Sequence, residues 1–316
     1  MPKPLAILLP VYNDEPSLLR VLKDIQTDLQ GLARDLKVFI INDGSNHWFP
    51  DKLVFSFVPE VIHLVRNLGH QKAIAIGLAY IKENYPGTAV IVMDSDGEDK
   101  VTDITKLIAA SEATPAHIIF AARSRRTNGK KFKLFYYLYK MSFYLLTGKK
   151  ISFGNFALIP SPALNKLVYY SEIWNNLPGG IIKSGLPYSS KPIERANRYS
   201  SESKMNFNAL LLHGLGAISV FLEIVITRIA IISFLLMLFS AITIITIIII
   251  RLATTLAIPG WASTLSSSML IILLISFIIS LIAIFIYLSA QAQQKIIPAL
   301  HYKDYILRTE TVSHAG

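Results

Sequence analysis

Short apolar runs and longer stretches of helical spacing alternate over roughly the first 127 residues. "LAILLPVY" (5–12) reads as a strand, "PSLLRVLKDIQTDL" (16–29) as a helix, and "KVFIIND" (37–43) as a strand again. "EVIHLVRN" (60–67) follows, then "HQKAIAIGLAYIKENY" (70–85) reads as a helix and "TAVIVMD" (88–94) as a strand. "VTDITKLIAASEA" (101–113) is helical and "HIIFAAR" (117–123) is extended. Runs of four to eight β-branched residues suit strands, and apolar positions three and four apart suit helices. Such alternation predicts an α/β domain built on a mostly parallel sheet with helices on both faces. In sheets of this kind ligands gather beyond the carboxyl ends of the strands. "NDGS" (42–45), "DSDGED" (94–99) and Arg123 all fall at such ends, so they are expected to meet in one cleft.

The pattern changes in the last third. Ile229–Ile250 and Met269–Ala290 are each 22 residues long and carry no charge. Each exceeds the roughly 20 residues that a helix needs to cross a bilayer. "RLATTLAIPGWASTLSSS" lies between them, with Pro259 and Gly260 suited to a turn and Trp261 to a membrane interface. Two core helices of a soluble protein would need more protein around them than 316 residues supply. A hydrophobic content of 52% and a mean hydropathy of +0.46 agree with a membrane hairpin. The only charge between the runs is Arg251, whereas Lys295, Lys303 and Arg308 follow them. The excess of positive charge on cytoplasmic loops then places both ends of the hairpin in the cytoplasm. The opening "MPKPLAILLPVYNDE" reads as a strand and not as a cleavable leader. The expected order is the α/β domain over 1–205, a juxtamembrane amphipathic segment over 206–228, membrane helices over 229–250 and 269–290, and a cytosolic tail over 291–316.

The net charge of +10 fits nucleic acid or anionic lipid. Lys130, Lys131, Lys133, Lys140, Lys149 and Lys150 accompany "FKLFYYLYKMSFYLLTG", whose density of large apolar side chains favours a helix lying in the membrane interface. No nucleic-acid partner is expected. There is no cysteine, which excludes disulfides, thiolate metal sites and a cysteine nucleophile.

"VIVMDSDGEDK" (90–100) runs a strand straight into Asp94, Asp96, Glu98 and Asp99. Taken alone, the cluster reads equally as a solvated acidic loop or as a seat for Mg²⁺ or Mn²⁺, which take hard oxygen ligands. Its place at a strand end beside two other polar clusters favours the metal.

"LLPVYND", "IINDGS", "RNLGHQKAIAIGL" and "VMDSDGEDKVTDI", in this order, resemble the family 2 glycosyltransferases of GT-A fold. With "RYSSESK" and the two apolar runs, the chain looks like the polyisoprenyl-phosphate hexosyltransferases, which include dolichyl-phosphate mannose synthase and bactoprenol glucosyltransferases. The resemblance spans residues 5 to 290 and is looser in the middle. It implies inverting, metal-dependent transfer of a hexose from a nucleotide sugar (a UDP- or GDP-hexose) to a polyprenyl phosphate. The setting would be the cytoplasmic face of a bacterial inner membrane, and a homo-oligomer is compatible with it.

The resemblance places Pro10, Val11, Tyr12 and Asp14 in the first nucleotide-binding turn and Asp43 against the base, with Lys72 near phosphate or base. Asp94, Ser95 and Asp96 match the diphosphate and metal motif, with Glu98 as a third oxygen ligand. Arg123, Arg126, Arg198 and Lys204 fall where the acceptor phosphate would be held, and Asp94, Asp96 and Arg123 are the catalytic candidates. Asn155, in "SFGNFALIP", stands where the family often has an acidic residue. A phosphate nucleophile is already ionised and needs no base, whereas a hydroxyl acceptor normally does. Two rival readings stand beside this one: a membrane glycosyltransferase with another lipid or glycan acceptor, and a membrane-anchored GT-A-like protein that binds without catalysis.

Overall fold

A computed structural model describes residues 4–31, 35–48, 55–123, 130–149, 153–194, 199, 214–253 and 260–311. They form two compact units. One comprises residues 1–141, 150–220 and 295–316, and the other 142–149 and 221–294.

The first unit is built on an eight-stranded sheet of β1 (Leu5–Val11), β2 (Leu36–Asn42), β3 (Glu60–Leu64), β4 (Ala89–Val92), β5 (Ile118–Arg123), β6 (Ala157–Ile159), β7 (Tyr188–Ile193) and β8 (Ile306–Thr311). Its order is β7-β5-β6-β4-β1-β2-β3-β8. β1 pairs in parallel with β2 and β4, β2 with β3, and β5 with β7. β6 runs antiparallel between β4 and β5, and β8 antiparallel to β3. The expected parallel core is present. β6, β7 and β8 are additions that the apolar pattern did not announce.

β1 explains why its sequence is apolar throughout. Successive side chains point to opposite faces of a strand. Leu5, Ile7, Leu9 and Val11 enter one core with Leu18, Val21, Leu22 and Ile25 of α1 (Glu15–Asp28) and Ile104 and Leu107 of α3 (Asp103–Ala113). Ala6 and Leu8 enter the other core with Ala73, Ile74, Leu78 and Ile81 of α2 (His70–Asn84). Both faces are covered, so no position in the strand is left for a polar residue. α4 (Lys130–Thr147), α5 (Ser161–Leu167) and α6 (Leu177–Ser184) follow, the last capped by the Asn176 side chain, which accepts the Gly179 N–H at 2.8 Å.

In the second unit, α7 (Leu222–Ala253) and α8 (Trp261–Ala292) contain the two charge-free runs and extend beyond them. Both helices are long and apolar enough to cross a membrane. Most of their large side chains face outward, Phe239 and Phe285 among them, although Val225, Ile226 and Ile247 of α7 are buried. Ser233 and Ser240 of α7 and Ser276 and Ala283 of α8 are buried, each pair seven residues apart. Small side chains at that spacing let two helices pack closely. Arg228 donates from Nη1 to the Leu145 carbonyl at 2.6 Å, placing a cation at the carboxyl end of α4. Pro259, expected in the turn of the hairpin, lies outside the described residues.

Candidate active site

β1, β2 and β4 run in parallel, and β5 shares their direction because antiparallel β6 separates it from β4. Their carboxyl ends release Tyr12–Asp14, Asp43–Ser45 and Asp94–Asp99, while Arg123 closes β5. Hydrogen bonds join the first three segments, whereas Arg123 shares with them only the direction in which its strand ends.

Asn13 has a left-handed backbone, φ 49°, which asparagine tolerates better than most residues. Its N–H donates to Ser45 Oγ at 2.9 Å, and its Oδ1 accepts the Asn46 N–H at 2.9 Å. Ser95 Oγ donates to the Pro10 carbonyl at 2.8 Å, and the Asp43 N–H to the Val11 carbonyl at 2.9 Å. Tyr12 is 44% exposed, which leaves its ring open to stacking. Asp14 precedes α1 and accepts the Ser17 hydroxyl at 3.0 Å.

Asp43 is buried, and each carboxylate oxygen accepts a backbone N–H, from Leu68 at 2.7 Å and Gly69 at 2.9 Å. Burial pushes its pKa up, against the pull of those two amides and of His70 and Lys72. Asp43 thus ties the turn before α2 to the end of β2. An oxygen holding one N–H keeps a second lone pair for a ligand. Next to it, Gly44 has φ 70°, and a Cβ there would lie 2.6 Å from both the Arg66 carbonyl carbon and the Asn67 nitrogen. Those are backbone atoms and cannot rotate away. Gly44→Ala is therefore expected to cost about 2 kcal/mol or more, read as a lower melting temperature.

The acidic loop alternates. Asp94, Asp96 and Glu98 are half-exposed, whereas Ser95, Gly97 and Asp99 are buried. Asp99 Oδ2 accepts the Asp94 N–H at 3.2 Å, and Asp96 Oδ1 accepts the Glu98 N–H at 3.0 Å. Gly97, φ 81°, lies flat under the Tyr199 ring, where a Cβ would come within 2.3 Å of it. The Tyr199 N–H donates to the Asp96 carbonyl at 3.2 Å, and its hydroxyl donates to Asp24. Among the described residues no three His, Asp or Glu side chains are gathered into a ready metal cage.

His70 is the site residue that sequence reasoning missed. Its Nε2 lies 3.0 Å from Asp94 Oδ1 and 3.1 Å from Asn155 Nδ2. Burial lowers its pKa, but Asp94, with Asp96 and Asp43, raises it by more. Asn155 is oriented from behind: the Leu177 N–H donates to Gln71 Oε1 at 2.7 Å, and Gln71 Nε2 donates to Asn155 Oδ1 at 3.0 Å. The segment "RNLGHQKA" carried this signal only as a fixed motif, since its partners are distant in sequence.

Lys72, in the first turn of α2, has its Nζ 6.0 Å from the Trp174 ring centre. The backbone of Arg123 ends β5, but its side chain is outside the described residues, as are Arg126, Arg198 and Lys204 altogether.

A mostly parallel sheet with polar loops at these strand ends is the GT-A arrangement of nucleotide-sugar glycosyltransferases. Residues 6–174, more than half of the chain, match Glycosyl transferase family 2, and the chain belongs to that family. It is a glycosyltransferase. It is similar to glucosyl-3-phosphoglycerate synthase from Mycobacterium tuberculosis, solved with Mn²⁺, uridine-diphosphate-glucose and phosphoglyceric acid. The TM-score is 0.50 at 15% identity, covering 71% of this chain and 80% of that one. Mannosyl-3-phosphoglycerate synthase from Rubrobacter xylanophilus gives a TM-score of 0.48 at 14% identity, over 69% of this chain and 72% of that one.

Proposed function

We propose that this protein transfers a hexose, with inversion, from a nucleoside-diphosphate sugar to a polyprenyl phosphate at the cytoplasmic face of a membrane. The observation that carries this reading is the joining of a family 2 glycosyltransferase domain to two apolar helices with outward-facing side chains. Tyr137, Leu138, Met141, Tyr144 and Leu145 of α4 add an exposed apolar stripe, with exposed Lys140 and Lys149 near it. That combination suits an interface between lipid tails and anionic headgroups.

In this reading the turn of Pro10, Val11, Tyr12 and Asp14 takes the nucleoside with Asp43, and Lys72 lies toward the diphosphate. Arg123, Arg126, Arg198 and Lys204 hold the acceptor phosphate. The donor set of the acidic loop fits a hard divalent cation, because its half-exposed side chains are carboxylates while Ser95 and Asp99 anchor the loop from below. Asp94 and Asp96, with Glu98, would hold Mg²⁺ or Mn²⁺, which supplies Lewis-acid stabilisation of the departing diphosphate. The Mn²⁺ bound with uridine-diphosphate-glucose in the mycobacterial enzyme supports this assignment. A phosphate oxygen of the acceptor attacks the anomeric carbon, and the bond from that carbon to the nucleoside diphosphate breaks. No proton need be removed from the acceptor, which agrees with an amide, not a carboxylate, at Asn155 beside His70.

Membranes containing the protein, incubated with labelled UDP- and GDP-hexoses and polyprenyl phosphate, should yield an organic-extractable, acid-labile glycolipid. Label transferred to diacylglycerol or glycan, with none to polyprenyl phosphate, would overturn the acceptor assignment.

A further inference from the structure

Strand β8 comes from the residues after the hairpin, yet it closes the sheet beside β3, with Glu310 opposite Val61 and Arg308 opposite His63. Glu310 Oε1 lies 2.9 Å from His63 Nε2 and accepts the Trp48 indole N–H at 2.9 Å. The Trp48 ring meets the imidazole edge-on at 5.3 Å. His63 is buried, and its Nδ1 lies 3.0 Å from Asn42 Nδ2.

The direction of this chain of contacts is set at its far end. The Ser45 N–H donates to Asn42 Oδ1 at 2.9 Å, so the amide nitrogen of Asn42 is what faces His63. That nitrogen offers only protons, so Nδ1 must present a lone pair, and the ring proton sits on Nε2 toward the carboxylate. A proton on Nδ1 would set two N–H groups against each other. An acceptor at position 310 therefore selects the tautomer that Asn42 requires. Glu310 is a charged acceptor: burial pushes its pKa up, but His63, Trp48 and Arg308 bring it below the ordinary range. Beyond Asn42 the same network holds the turn, through the bonds of Ser45 to Asn42 and Asn13 and of Asn46 to Asn13.

We propose that Glu310 and His63 are positioning residues for the Asn42–Ser45 turn, so that the strand after the hairpin sets the affinity for the donor nucleotide. This rests on the assignment of that turn to the donor.

The test uses full-length protein in lipid nanodiscs, as wild type, Glu310→Ala and Glu310→Gln. Three quantities are read: the KM values for donor and acceptor, the binding of Mn²⁺-UDP and Mn²⁺-GDP, and deuterium exchange over residues 42–46. Losing the acceptor should raise the donor KM about tenfold, with the acceptor KM unchanged and exchange in the turn faster. Gln keeps an oxygen for both Trp48 and His63 and should restore donor KM and exchange together. Unchanged donor KM and exchange in the Ala variant would overturn the proposal. So would equal rises in both KM values with no recovery in Gln, which would make β8 a structural strand only. If the wild type binds neither nucleotide, the donor assignment itself fails, while exchange still decides whether Glu310 holds the turn.

Discussion

Asp96→Asn should reduce turnover by roughly 100-fold or more while leaving the fold intact. The substitution is nearly isosteric. Its amide oxygen can still accept the Glu98 N–H that Asp96 Oδ1 accepts at 3.0 Å, so the loop keeps its shape. The lost property is negative charge at a half-exposed position, where a divalent cation would otherwise be held against the donor diphosphate. An unchanged melting curve with lost activity, and loss of wild-type activity in excess chelator, form the expected pair of results. Wild-type turnover in the variant, or full activity in chelator, would remove Asp96 from the metal site.

Two deletions of the hairpin should behave differently. The first excises 222–294 and joins 221 to 295 through a flexible linker, keeping β8. The second ends the chain at 221. With β8 retained, nucleotide binding should persist, while transfer to a long-chain polyprenyl phosphate in vesicles falls roughly 100-fold, because enzyme and acceptor no longer share a surface. Transfer to a short, water-soluble prenyl phosphate should fall much less. Ending the chain at 221 removes the strand paired to β3, together with the Tyr305 carbonyl that accepts the Val65 N–H at 3.0 Å. An uncovered strand edge invites aggregation, so this form should melt lower and bind nucleotide poorly. Equal behaviour of the two forms would show that β8 adds nothing to the catalytic unit.

The same strand marks where sequence reading stops. β1, β2, β4 and β5 were legible because each is buried on both faces and reads as a continuous apolar run. "ILRTET" has one neighbour and is mostly exposed, so nothing in it demands apolar residues. "YSSKPI", at the other edge, even carries Pro192, which edge strands tolerate. The acidic loop and the Asp43 turn stood out because charge at the end of an apolar strand is costly without a purpose. His70 and His63 did not stand out. Their roles lie in partners 24 and 247 residues away for Asp94 and Glu310, and no periodicity encodes such a meeting. The four cations proposed for the acceptor rest on sequence.

Synthesis order gives β8 another consequence. β3 leaves the ribosome roughly 250 residues before its partner, a delay of about 12 to 50 s at ordinary elongation rates. During that interval the His63 imidazole has no carboxylate and the β3 edge is open. Both apolar helices are made in the same interval, before Glu310 exists. The Asn42–Ser45 turn therefore acquires its last support only after the two apolar helices have been translated. A nascent chain stalled before its two apolar helices would carry an unfinished catalytic unit, and a released fragment of that length should be a substrate for chaperones and proteases before it is an enzyme.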